Sequence, residues 1–187
     1  MYTIVSGLSE IVNHQLKDKL DWVVVPGAGV SNIATCSLGE TPITMSFPPF
    51  IIAASQGVDP YKEKYQKTMV IATGFGSSAQ HLVTTRKDLT TYGDMAAKKI
   101  PMQISLYKTG ETDEFIWRKI MDFYKFGYND IEKWGGKVFF VGHGESVQLT
   151  KDGHSDTHFS YIAVPSASIT EMAISNKLAY LSVPDDL

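Results

Sequence analysis

Asp152, His154, Asp156 and His158 recur at every second position of "KDGHSDTHFS", and residues two apart share one side of an extended strand. Imidazoles and carboxylates gathered in that way are ligands for zinc, and mixed sets also hold manganese or iron. His143 and Glu145, upstream in "VGHGES", would join them from a partner strand. Such a centre defines one reading, a small metal-dependent hydrolase. Gly153 works against it, because it breaks the strand where the ligands would begin to converge, and Lys151-Asp152-Gly153 makes an ordinary solvated turn. The preferred reading is a hairpin tip with no metal and no cofactor.

Other reactive groups are incomplete. His158-Phe159-Ser160 is one H-x-S element of the kind two-histidine phosphoesterases carry in pairs for acid and base work. The second copy is missing, since His81-Leu82-Val83 ends in Val and His143-Gly144-Glu145 ends in Glu. "PGAGVSN" and "GFGSS" expose backbone amides that suit an anion, yet neither completes a strict dinucleotide fingerprint and no phosphate-binding lysine follows. Cys36 sits among Ile33, Ala34 and Leu38, neighbours that suit a buried structural thiol better than a nucleophile. No catalytic constellation stands, so a non-enzymatic protein is expected.

The elements that must position these residues follow from patterning. Val5, Leu8, Val12 and Leu16 fall at helical spacing within Thr3 to Leu20. Trp22 to Val25, Ile33 to Leu38, Phe50 to Ala54 after Pro48-Pro49, and Met69 to Ala72 read as short strands. Residues 74–99 carry no assignable pattern. Met102, Ile104 and Leu106 alternate with polar residues and predict a strand with one apolar face. Ile116, Ile120 and Phe123 form a helical stripe, with Glu111, Asp113 and Glu114 at its start and Lys125 and Gly127 at its end. Lys137 to Val141 and His158 to Val164 would be the two strands of a closing hairpin. Ser168 and Glu171 form a capping-box pattern in the tail.

The fold class expected is α+β: a mixed, mainly antiparallel sheet packed against the N-terminal helix and a second amphipathic helix, with a C-terminal extension. The 187 residues read as one domain over 1–165 and an arm over 166–187. A net charge of −3 with scattered Lys and Arg argues against sequence-specific nucleic-acid binding. A single cysteine fits a reducing compartment. No apolar run approaches the roughly 20 residues that a membrane-spanning helix needs, and no secretory signal is apparent, so a soluble protein made in a cytoplasm is expected. Trp117, Tyr124 and Tyr128 lie off the main helical stripe, where aromatics commonly anchor a protein partner.

The order of Pro49 to Ala54, Met102 to Tyr107 with Glu111 to Phe126, and Val138 to Val164 resembles the bacteriophage tail-terminator and tail-completion (neck) proteins. That resemblance implies a structural virion subunit, assembled in the host cytoplasm into a homo-oligomeric, hexameric ring at the head-tail joint. Its partners would be tail-tube, sheath or connector proteins. The long stretch 59–99 and the extension after Pro165 depart from that family's pattern. The alternatives are the metal-dependent hydrolase and a non-enzymatic binding module.

Overall fold

Proline at the start of an apolar run decides the first departure from these expectations. Its missing N–H costs nothing in the first helical turn, and Pro48–Gln56 is a helix rather than a strand, closed by Gly57 in the left-handed conformation. The computed structural model describes residues 2–17, 19–181 and 183–184. Its contacts divide the chain into two units, Met1–Phe75 and Gly76–Leu187.

The first unit is helical among the described residues, with α1 (Tyr2–Gln15), α2 (Ser31–Ser37) and α3 (Pro48–Gln56). Asp18, predicted within the first helix, lies outside the described residues. The Asn13 side chain brackets Trp22, donating to its carbonyl at 2.9 Å and accepting from its N–H at 2.6 Å. The Tyr61 hydroxyl donates to Val30 O at 2.7 Å and holds the approach to α2. Trp22 to Val25 and Met69 to Ala72 are not strands: a strand needs a neighbour for its backbone groups, and neither segment has a ladder partner. Val23 and Met69 are 69% and 83% exposed.

The second unit holds a five-stranded mixed sheet, so the α+β class stands. Its elements are β1 (Ala79–Thr84), α4 (Asp94–Ala97), β2 (Gln103–Leu106), α5 (Thr112–Tyr124), α6 (Tyr128–Lys133), β3 (Lys137–Phe140), α7 (His143–Lys151), β4 (Thr157–Ile162), α8 (Ala167–Ser175) and β5 (Ala179–Leu181). The unassignable stretch 74–99 therefore supplies a strand and a short helix. The strand order is β3-β2-β4-β1-β5. β3 and β4 both run parallel to β2, with Ile104 opposite Val138 and Thr157, whereas β1 is antiparallel to β4 and β5. The closing hairpin is thus overturned. Parallel strands need a crossover, and α7 supplies it, so the predicted tip is a helix followed by a short turn.

Residues 167–181 of the C-terminal extension belong to the second unit. They form α8, capped by the Ser166 hydroxyl on Ile169 N–H, and β5 beside β1. Ser182 and residues 185–187 of the predicted arm lie outside the described residues.

One face of the sheet carries Leu82, Ile104, Leu106 and Phe159 against Trp117, Ile120 and Met121 of α5 and Ile131 of α6. The other carries Val83 against Val147 of α7 and Ile169 and Met172 of α8. Gly136 enters β3 where an added Cβ would collide with Met102 O and Ile131. Trp117, expected at an assembly interface, is fully buried, tilted on Phe159 and edge-on to Phe126. Replacing it leaves a large cavity, so Trp117→Ala is expected to cost about 3–5 kcal/mol in urea unfolding. A cost under about 1 kcal/mol would refute that placement.

Candidate functional site

Because β2, β3 and β4 are parallel, the loops that leave them emerge at one edge of the sheet. β2 leads to α5 on the Leu106 face and β3 leads to α7 on the Val83 face. Adjacent strands whose loops depart to opposite faces open a crevice beyond their carboxyl ends, the place where open α/β sheets bind ligands.

Tyr107 follows β2 and His143 opens α7, and their rings stack across that crevice at 4.6 Å and 11°. Asp113, in the first turn of α5, lies beside them. Its Oδ2 is 4.0 Å from His143 Nε2, too long for a hydrogen bond. The backbone N–H of Tyr161 on β4 bonds the Asp113 carboxylate. Asp113 is only 6% exposed, yet its Oδ2 is buried without a hydrogen-bond partner. Burial pushes its carboxyl up to about 6. Burial also lowers the His143 imidazole, keeping it neutral at ordinary pH.

Glu114, the next residue, has the opposite fate. It is 1% exposed and fully used, accepting from Gly110 N–H at 3.2 Å, Arg118 Nε at 2.8 Å and the Tyr128 hydroxyl at 2.9 Å. These bonds hold the β2–α5 loop that carries Tyr107 and Asp113. On the other side, α7 is fixed by buried hydroxyls. Ser146 Oγ donates to Ser105 Oγ at 2.6 Å and lies 2.6 Å from His158 Nδ1. His158 is 3% exposed, and burial, with His143 and His81 nearby, drives it down to about 3. It is a neutral support for α7.

The alternating array Asp152, His154, Asp156 and His158 does not converge. Asp152 ends α7 and accepts from Gln148 Nε2 at 2.8 Å, His154 is exposed in the turn, and His158 is enclosed in β4. Asp156 binds Arg86 Nη1 at 2.8 Å and the Gln103 N–H at 3.0 Å, tying β1, β2 and β4 at the opposite edge. Among the described residues no three His, Cys, Asp or Glu side chains gather as a metal would require. Tyr124 packs at the edge of the core, and Tyr128 turns its hydroxyl to Glu114. Gly27 and Gly29 lie in the approach to α2, where an added Cβ at Gly27 would strike the Asn32 amide. Cys36, in α2, is half-buried with its thiol 3.8 Å from Pro42 O. Sequence reasoning used Asp113 only as a helix-start signal and Tyr107 only as the polar side of a strand. The available signal was their position, Tyr107 closing the most regular strand pattern "MQISLY" and Asp113 following soon after it.

The profile of the NMT1-like family matches residues 1–187, and the chain belongs to that family. No curated protein sequence matches it. Among solved structures it is similar to an ancestral arginine-binding protein bound to arginine, at 14% identity and a TM-score of 0.52 over 95% of this chain and 67% of that one. It is also similar to the alkanesulfonate-binding protein of Xanthomonas axonopodis pv. citri bound to MOPS, at 14% identity and a TM-score of 0.50 over 97% of this chain and 56% of that one. The likeness is one of fold, and the chain spans about two thirds of the first protein's length and little more than half of the second's.

Membership overturns the tail-terminator reading, which rested on element order alone. The hexameric ring, the tail-tube, sheath and connector partners and the virion location go with it. The reading of the chain as non-enzymatic stands with that membership.

Asp113 yields a test of the site's cost. Its folded-state carboxyl is raised, so the stability it contributes is complete below about pH 4 and lost as pH rises through about 6. Groups facing it are Glu111 and Tyr107 on its loop, His143 on α7 and the Tyr161 backbone on β4. Holding a carboxyl that far above its ordinary range corresponds to about 3 kcal/mol once it ionises. Asp113→Asn is therefore expected to be more stable than the natural protein by about 2 kcal/mol above about pH 7 and equal to it below about pH 4, in paired urea titrations. Acid protonation of His158 affects both proteins alike and cancels. A variant less stable at neutral pH would refute the assignment.

Proposed function

We propose that the chain is a solute-binding protein, and that its second unit meets the ligand at the carboxyl edge of β2 and β3. The observation that carries this is the Tyr107–His143 stack beside a buried carboxylate with one unused acceptor, placed in the crevice between loops that leave for opposite faces. Buried acceptors are ordinarily satisfied, and an exception at a crevice is a functional candidate. The family and the two ligand-bound neighbours of similar fold support a binding role. In this proposal the partners are a small solute and a membrane transporter component, and the protein works outside the cytoplasm.

The test begins with arginine and MOPS as probes and extends to other amino acids and small organic anions, screened by ligand-induced thermal stabilisation of the whole chain. For any solute that binds, Tyr107→Ala and His143→Ala are expected to weaken affinity at least about tenfold, close to 1.4 kcal/mol each. Amide shifts should cluster at 107–113 and 142–146. Shifts confined instead to the cleft lined by Thr90, Thr91, Tyr92, Tyr124 and Tyr180, at the opposite edge of the sheet, would move the site there.

A further inference from the structure

We infer that the solute presents a protonated primary or secondary amine, which donates one N–H to Asp113 Oδ2 and another to His143 Nε2. This rests on the solute-binding reading above and specifies what the edge accepts.

The two acceptors stand 4.0 Å apart. A nitrogen at ordinary hydrogen-bonding distance from both subtends an angle of about 90°, within the bend that such bonds tolerate from tetrahedral geometry. A hydroxyl has one proton and satisfies only one acceptor, whereas an ammonium has enough for both. Charge gives the same answer. Asp113 is only 6% exposed, Oδ2 lacks a partner, and Glu111 adds a second carboxylate close by. A cation repays the desolvated carboxylate, and an anion would meet repulsion. His143 is kept neutral by burial, so with its proton on Nδ1 it offers Nε2 as an acceptor rather than a competing positive charge. Oδ2 is closed to solvent while the His143 side chain is 37% exposed, so the amine enters from the His143 side as that ring shifts outward. The Tyr107 ring behind the imidazole holds its plane. Two side chains fall short of the ligand set a metal ion requires, which leaves an organic donor as the matching partner.

The test uses the whole chain and matched probe pairs that differ only in the donor: propylammonium against propanol, and 2-phenylethylammonium against 2-phenylethanol. Each is titrated while backbone and histidine side-chain resonances are followed. Both amines are expected to shift Gly110 to Asp113 and His143, with each alcohol at least about tenfold weaker. Asp113→Asn is expected to abolish that preference while the fold, read from the remaining resonances, is unchanged. Amine affinity should rise with pH through about 6, as Asp113 ionises. Equal shifts from amine and alcohol at this edge would overturn the amine inference and leave the solute-binding site intact. Absence of any amine-induced shift at residues 107–113 up to the solubility limit also overturns the inference. If the probes or a screened solute act only at another surface, the proposed site falls with it.

Discussion

Two ladders share one strand. β2 pairs in parallel with β3 on one side and β4 on the other, and that constraint determines most of what the second unit does. A parallel neighbour cannot be reached by a tight turn, so α5 and α6 must return the chain to β3, and α7 must carry it across β2 to β4. Right-handed connections to opposite sides of β2 require helices on opposite faces. The core is therefore split in two, Trp117 and Ile120 on one face and Val147, Ile169 and Met172 on the other. The same split brings Tyr107 and His143 together beyond the carboxyl ends of β2 and β3.

The polar interior then sets the positions of the walls. Ser105, Ser146 and His158 form a buried knot that pins α7 to β2 and β4, and α7 in turn places His143. Glu114 anchors the facing loop through three donors from a backbone amide, Arg118 and Tyr128. At the far edge, Arg86 and Asp156 join the ends of β1 and β4 to the start of β2. Apart from the exposed Arg118, each group is buried or partly buried and hydrogen-bonded, which is the condition under which interior polar groups confer geometry instead of instability. Asp113 lies outside this pattern, and its elevated carboxyl shows the local cost.

Local patterning made part of this visible. The alternation of Met102, Ile104 and Leu106 and the stripe Ile116, Ile120 and Phe123 give β2 and α5 at nearly their true bounds, because both elements have one face in the same core, although Phe123 is exposed and Trp117 is buried there instead. The runs at Ile33 to Leu38 and Phe50 to Ala54 are helices, since a short apolar run has no period of its own and the prolines fit a first turn equally well. The supposed hairpin failed for a different reason. Whether β3 and β4 are neighbours depends on β2 inserting between them, a long-range fact absent from "KVFFVGHGESVQLTKDGHSDTHFSYIAV". Asp152, His154, Asp156 and His158 share a side only if extended, and a helix ends at the first of them. Asp113 and His143, 30 residues apart in the chain, meet only because their loops leave adjacent strands.

Asp113 and Glu114 are consecutive carboxylates with separated duties. Glu114 carries the hydrogen bonds that shape the loop, and Asp113 keeps a buried oxygen that the fold does not use. In the proposed reading, architecture and recognition are thereby assigned to different codons. A lineage that replaced Asp113 by a neutral or basic residue would alter the charge sought at the edge while Glu114 kept the loop in place. Such a division makes one scaffold open to new ligands by single substitutions, without passage through an unfolded intermediate sequence.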